Sequence, residues 1–124
     1  MMVDYVEAEQ AMAVLSRLGF HVRDQGLLLS ALARPSAGMF GTDAYPSIEQ
    51  KAAALLSSLS QNHTLFDGNK RLSLLLTFIF LELNGCELTF TDDEAFDLVL
   101  TAAQSEMTVD ELATVIAAGI RVNA

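Results

Sequence analysis

The chain has 124 residues, with 16 acidic and 7 basic side chains and a formal net charge of −9. So few cations exclude broad binding to DNA, RNA or anionic lipid, where many Lys and Arg must neutralise phosphates. Cys86 is the only cysteine, which excludes an internal disulfide, and no Cys/His set has zinc-site spacing. A chain of this size that is 52% apolar can bury a core of its own, so 1–124 is expected to be one domain. The first residues, MMVDYVEAEQ, are acidic where a signal peptide is basic, so the expected location is the cytoplasm.

The expected fold is all-α. Val3, Val6, Met12, Val14, Leu15 and Leu18 give a helical period over 3–18 that stops at Gly19. A second helix is expected over 24–33, ended by Arg34-Pro35. The segment 34–46, RPSAGMFGTDAYP, has no helical period and is expected to be a loop or short flap. Ser47 with Gln50 is the capping pattern of a third helix that runs to about Gln61. A fourth starts at Asp67-Gly68-Asn69 and stops at Asn84-Gly85. Thr91 with Glu94 and Thr108 with Glu111 cap two more, giving about six helices. Residues 86–90 read as extended, but five residues make no sheet.

The fourth helix is apolar on nearly every face: Leu72, Leu74, Leu75, Leu76, Phe78, Ile79, Phe80, Leu81 and Leu83. Such a helix is central in a bundle or lies in a membrane. A membrane span takes about 20 apolar residues. This run is shorter and is broken by Ser73, Thr77 and Glu82, so burial is expected.

Polar residues crowd the start of that helix, in the stretch NHTLFDGNKR, 62–71. A helix N-terminus offers free N–H groups and the positive end of the dipole. Gly68 permits close approach of a ligand to the backbone. Lys70 and Arg71 form the only adjacent basic pair in the chain, and Asn69 carries a side-chain amide. Together these suit an anion such as a di- or triphosphate. Asp67 is a hard oxygen donor of the kind Mg²⁺ takes alongside phosphates. His63, four residues earlier, carries an imidazole that can accept a proton from a hydroxyl. Each feature alone has a plainer reading: a turn, an N-cap, a solvated histidine or surface charges. Only their combination points to phosphoryl or nucleotidyl transfer.

His63-Thr64-Leu65-Phe66-Asp67-Gly68-Asn69-Lys70-Arg71 resembles the signature of the Fic superfamily, H-P-F-x-(D/E)-G-N-G-R. It is most similar to the death-on-curing (Doc) toxin branch, whose motif ends in N-K-R. The preceding DAYPSIEQKAAALLSSLSQNH and the helices after the motif extend the likeness over nearly the whole chain. The resemblance implies a Fic fold and the toxin of a bacterial toxin–antitoxin pair. It assigns His63 as general base, Asp67 as the Mg²⁺ ligand, and Gly68, Asn69 and Arg71 to the phosphates of ATP. Most Fic proteins transfer AMP. In the Doc branch a lysine, here Lys70, replaces the second motif glycine, ATP binds inverted, and the γ-phosphate goes to a threonine of elongation factor Tu.

Thr64 and Leu65 stand where the family has proline and phenylalanine, and Leu65 is expected to anchor the loop in the core with a smaller side chain. The family's inhibitory pattern, S/T-x-x-x-E-(G/N), is absent from the sequence. A separate cognate antitoxin is therefore the expected partner, its amphipathic segment lying in an exposed apolar groove. No direct nucleic-acid or membrane binding is expected. In the family a flap beside the site docks the target as an added strand. Met39, Phe40 and Tyr45 are placed for that role or for a plain packed loop, and Arg34 for a phosphate or a helix cap. Three functions follow: a protein phosphotransferase, an adenylyltransferase on the same fold, or a non-catalytic antitoxin-binding module.

Overall fold

Six α-helices and two small antiparallel ribbons make up the computed structural model, which describes residues 2–123. The helices are α1 (Ala8–Leu18), α2 (Gln25–Ala33), α3 (Ile48–Gln61), α4 (Asn69–Leu83), α5 (Asp92–Ala103) and α6 (Val109–Ala118). The capping patterns read from sequence are all present. Ser47 accepts from the Gln50 N–H, Thr91 from Glu94 and Thr108 from Glu111, and each N3 side chain bonds back. Gly19, at φ 75°, ends α1 in the left-handed conformation.

Three details differ from the sequence reading. First, α1 begins at Ala8, not Val3. Residues 3–7 run along the core without helix: Asp4 exchanges two hydrogen bonds with the Asn84 side chain at the end of α4, at 2.9 and 2.8 Å. Tyr5 stacks on Phe80 with ring centroids 6.2 Å apart. The apolar spacing of Val3, Tyr5 and Val6 serves this path as well as a helix.

Second, the helix enclosed on all sides is α3. Lys51 through Ser57, Leu59 and Ser60 are buried. Its run of alanines keeps it thin, so α4, α5, α6 and α2 all pack against it. In α4, Leu72, Leu76, Phe80 and Leu81 enter the core, but Leu74, Leu75, Phe78 and Ile79 are half-buried and Leu83 is exposed. Among the described residues no helix is long and apolar enough to cross a membrane.

Third, residues 86–88 do form a ribbon. Strand β3 (Cys86–Leu88) pairs antiparallel with β4 (Ile120–Val122), in the register Glu87 opposite Arg121. The partner strand is remote in sequence, so no local pattern announces it.

Between α2 and α3 the chain makes a 3₁₀ turn, Arg34–Ser36, and then a hairpin of β1 (Gly38–Met39) and β2 (Thr42–Asp43). The two turn residues, Phe40 and Gly41, both have positive φ, 53° and 76°. That is the backbone of a tight two-residue hairpin. Phe40 at the tip is 97% exposed.

Candidate active site

The stretch 62–68 links the buried α3 to the start of α4, and the core holds it at Leu65. That side chain is 1% exposed and belongs to the central apolar cluster, so it supplies the anchor that a phenylalanine would. Phe66, next to it, points outward and is 72% exposed. Thr64 is fully buried; its N–H and hydroxyl both donate to Asn62 Oδ1, at 3.2 and 2.7 Å. The Asn62 amide in turn donates to the Leu27 carbonyl at 3.0 Å. A polar side chain thus occupies the family's proline position with every bond made.

His63 and the residues from Phe66 to Arg71 line one cleft of about 300 Å³, with Ser60 at its inner wall. The backbone at His63 lies in the left-handed region, φ 55°. Gly68 is the N-cap of α4 at φ 92° and presents no side chain to the first turn. Leu72 is the first residue of α4 whose N–H finds a helical acceptor, the Gly68 carbonyl at 2.9 Å. Each of the other five α-helices has a side chain bonded into its N-terminal turn: Gln10, Asp24, Ser47, Thr91 and Thr108. In α4 no side chain caps, and the residues of its first turn, Asn69, Lys70 and Arg71, line the cleft.

Charge reinforces this polarity. Among the described residues the ion pairs are Lys51–Asp43 and Arg121–Glu87, so Lys70 and Arg71 have no carboxylate partner despite the acidic chain. The Arg71 guanidinium lies over the Phe20 ring, 5.3 Å from its centroid. Asp67 is exposed in the same cleft and has no hydrogen bond or ion pair among the described residues. No group of three or more His, Cys, Asp or Glu among those residues could enclose a metal. One exposed carboxylate beside an uncapped helix start and two cations unpaired among the described residues is compatible with Mg²⁺, which keeps several waters and takes few protein ligands.

The site residues read from sequence, His63, Asp67, Gly68, Asn69, Lys70 and Arg71, therefore meet in one cavity. Asn69 differs in detail from its expected use. Its Oδ1 accepts from the Leu65 N–H at 2.8 Å and its Nδ2 donates to the Leu65 carbonyl at 3.0 Å. The side-chain amide clamps the loop, which leaves its backbone N–H as the group available to an anion. Arg34 is not in this cleft. It donates to Tyr45 Oη at 3.1 Å and Ser58 Oγ at 2.7 Å, on the wall of a separate cavity of about 540 Å³. Tyr45 is thereby tied to the base of the hairpin, while Met39 and Phe40 stand free at its tip.

Sequence reasoning missed Arg23, whose Nε donates to the His63 carbonyl at 2.8 Å. A lone arginine in a turn carries no motif; its only signal is being a cation in an acidic chain. A third cavity, of about 340 Å³, was also not legible. It runs between α4 and α5, is lined by Leu74, Phe78, Phe90, Phe96 and Val99, and shares Lys70 and Arg71 with the cleft.

Residues 3–81 match the model of the Fic/DOC family. The chain is 42% identical over 122 residues to toxin Doc of Mycolicibacterium smegmatis (strain ATCC 700084 / mc(2)155), covering 94% of this chain and 93% of that protein. The helical fold, the cleft at the head of α4 and both likenesses agree: the chain belongs to the Fic/DOC family.

Proposed function

We propose that this protein is the toxin of a bacterial toxin–antitoxin pair and acts as an ATP-dependent protein phosphotransferase in the cytoplasm, blocking translation by modifying a threonine of elongation factor Tu. The 42% identity to a protein named toxin Doc supports the toxin role. His63 takes the proton of the attacking hydroxyl. The oxygen bonds to the γ-phosphorus as its bond to the β–γ bridging oxygen breaks, and ADP leaves. Gly68, the N–H groups of Asn69, Lys70 and Arg71, and the two cationic side chains hold the phosphates. Asp67 holds Mg²⁺, which supplies charge neutralisation at the phosphates when bound.

One observation favours γ- over α-phosphate transfer. Lys70 and Arg71 form the wall between the polar cleft and the apolar groove of α4 and α5. The proposed pose lays a nucleotide across them, its base among Leu74, Phe90 and Phe96 and its phosphates toward His63 with the terminal one foremost. In that pose the γ-phosphate, rather than the α-phosphate that adenylyl transfer uses, meets His63.

The expected antitoxin has an apolar surface to bind. Ala13, Val14 and Leu18 of α1 and Leu75 and Ile79 of α4 line a groove of about 260 Å³. An amphipathic helix from a partner fits such a groove.

The test is incubation with Mg²⁺, a bacterial lysate and ATP labelled at either the α- or the γ-phosphate. Label from the γ position should appear on a lysate protein, and His63→Ala should abolish it. Transfer from the α position would assign adenylylation. No transfer, with equal growth arrest by wild type and His63→Ala, would leave a partner-binding module.

A further inference from the structure

The turn joining α1 to α2, Phe20-His21-Val22-Arg23-Asp24, touches the cleft from behind at three places. Arg23 Nε donates to the His63 carbonyl at 2.8 Å. The Phe20 ring lies under the Arg71 guanidinium, 5.3 Å from centroid to carbon. The edge of the same ring closes on Gly68, where an added Cβ would stand 2.6 Å from Phe20 Cε1. The segment is itself fixed along the loop. Phe66 N–H donates to the His21 carbonyl at 3.2 Å, and the N–H groups of Arg23 and Asp24 donate to the Thr64 carbonyl at 2.8 and 3.1 Å. Val22 and Leu65 form an isolated antiparallel bridge. Gly19 ends α1 immediately before it, and its last residue, Asp24, caps α2.

We infer that this turn is a positioning element with two separable duties: Arg23 sets the peptide carrying His63, and Phe20 sets the guanidinium of Arg71. The inference rests on the phosphate-site reading of His63 and Arg71. The physical grounds differ for the two residues. His63 has a left-handed backbone, φ 55°, an uncommon conformation for an L-residue whose cost its contacts must offset. Its carbonyl is fixed by a charged donor that no carboxylate neutralises among the described residues. Arg71 is exposed and has no ion-pair partner there, so without the ring beneath it the guanidinium would sample many rotamers. The face of an aromatic ring attracts a cation without cancelling its charge. A carboxylate in the same place would hold Arg71 equally well and would repel a phosphate.

The two duties predict different losses. Phe20→Leu keeps an apolar side chain and removes the aromatic face. Affinity for Mg²⁺·ATP, read by calorimetry, should fall about three- to tenfold, while the transfer rate at saturating ATP stays near wild type. Arg23→Ala should do the reverse: the rate of γ-label transfer at saturating ATP falls about tenfold or more, with ATP affinity unchanged. Arg23→Lys, which keeps one donor, should recover part of that rate. His63→Ala and Arg71→Ala are the references. If those two leave transfer and binding intact, the phosphate-site reading fails and takes this inference with it. If the references lose function while Phe20→Leu and Arg23→Ala change neither parameter, the turn has no positioning role. A parallel fall of both parameters with melting temperature in both variants would make it scaffold only and equally overturn the inference.

Discussion

The ammonium of Lys51, fully buried in α3, lies 3.3 Å from the Asp43 carboxylate on the second strand of the hairpin and 3.2 Å from the Pro35 carbonyl. The Tyr5 ring stands 5.7 Å away on another side. A charge buried in the most enclosed helix thus holds the base of the most exposed element. Asp43 is 55% exposed, so solvent screens the pair and its attraction is modest. The larger effect is what a missing partner leaves behind. Asp43→Ala leaves a buried ammonium short of one acceptor and should cost about 1–3 kcal/mol in urea unfolding. It should also speed proteolytic cutting at Met39-Phe40, because the hairpin loses its tie. Lys51→Met fills similar volume without a charge and should be near neutral or stabilising. If Lys51→Met proves as damaging as Asp43→Ala, the pair matters for more than charge satisfaction.

Gly68 meets two demands at once. Its φ of 92° is a conformation that other residues rarely adopt, and the Phe20 ring and the Arg71 Nη2 crowd the place of a Cβ at 2.6 and 3.1 Å. Gly68→Ala should therefore lose about 1–3 kcal/mol of stability from backbone strain. It should also weaken Mg²⁺·ATP binding beyond what the stability loss accounts for, because the added methyl pushes Phe20 and Arg71 aside. Gly41 makes the contrast: it has φ 76° with open space around it. Gly41→Ala should cost stability from the hairpin turn alone and leave ATP affinity unchanged. Calorimetry and thermal unfolding on both variants separate the two effects.

Leu65 ties the loop that carries His63 to the core, so its truncation should act through both stability and the cleft. Leu65→Ala removes a fully buried side chain and should cost about 2–5 kcal/mol. Restoring the family's residue with Leu65→Phe should not rescue anything. The pocket is already filled, and overpacking costs about 1–3 kcal/mol. Thermal unfolding ranks the three proteins, with wild type highest; a gain in stability for Leu65→Phe would show that the loop is under-anchored.

Most of this architecture is visible in the sequence because local rules act alone there. Ser47, Thr91 and Thr108 mark helix starts by chemistry that involves only the next three residues, and all three hold. The cleft is legible for the same reason, since His63 to Arg71 are contiguous and a helix start gathers them. What escapes depends on distant partners. Strand β3 needs Ile120–Val122. Arg23 reaches His63 across 40 positions. Asn69 looks like a free donor until the Leu65 peptide occupies both ends of its amide. Apolar content also misidentifies the central helix: the leucines and phenylalanines of α4 outrank the alanines of α3 in hydrophobicity, yet thinness decides which helix others can surround.

Glu94 gives a prediction in acid. The Thr91 N–H donates to its carboxylate at 2.9 Å and holds the carboxyl below its ordinary value, with the Thr91 side-chain hydrogen bond adding to the effect. A folded-state value below the unfolded one adds stability that is present above the unfolded value and lost as pH falls through the folded one. Glu94→Gln keeps an acceptor for the Thr91 N–H and removes the charge. Wild type should therefore be the more stable near neutral pH. The gap should close as pH drops from the ordinary glutamate range toward the folded-state value beneath it. Melting temperatures of the two proteins across that range test this; a gap that persists below both values would place the effect in the hydrogen bond rather than the charge.

Cys86 is the first residue of β3, opposite Val122 in the ribbon, and is 6% exposed. Burial pushes its thiol up from the usual value, and the negative charge of Glu49 adds to that. Only the thiolate is a nucleophile, so both causes suppress reactivity at neutral pH, and alkylation requires exposure first. Iodoacetamide should leave the native protein unmodified on the timescale that labels a free thiol, and label it fully in denaturant. Arg121 pairs with Glu87 across the same ribbon. Arg121→Glu sets two carboxylates opposite each other and loosens the strand paired with Cys86. Its labelling rate should rise in native buffer, more at low salt than at high, since salt screens the repulsion. If Arg121→Glu labels no faster than wild type, the cover over Cys86 is held by the core contacts of Leu88 and Ile120 instead of by pairing along the ribbon.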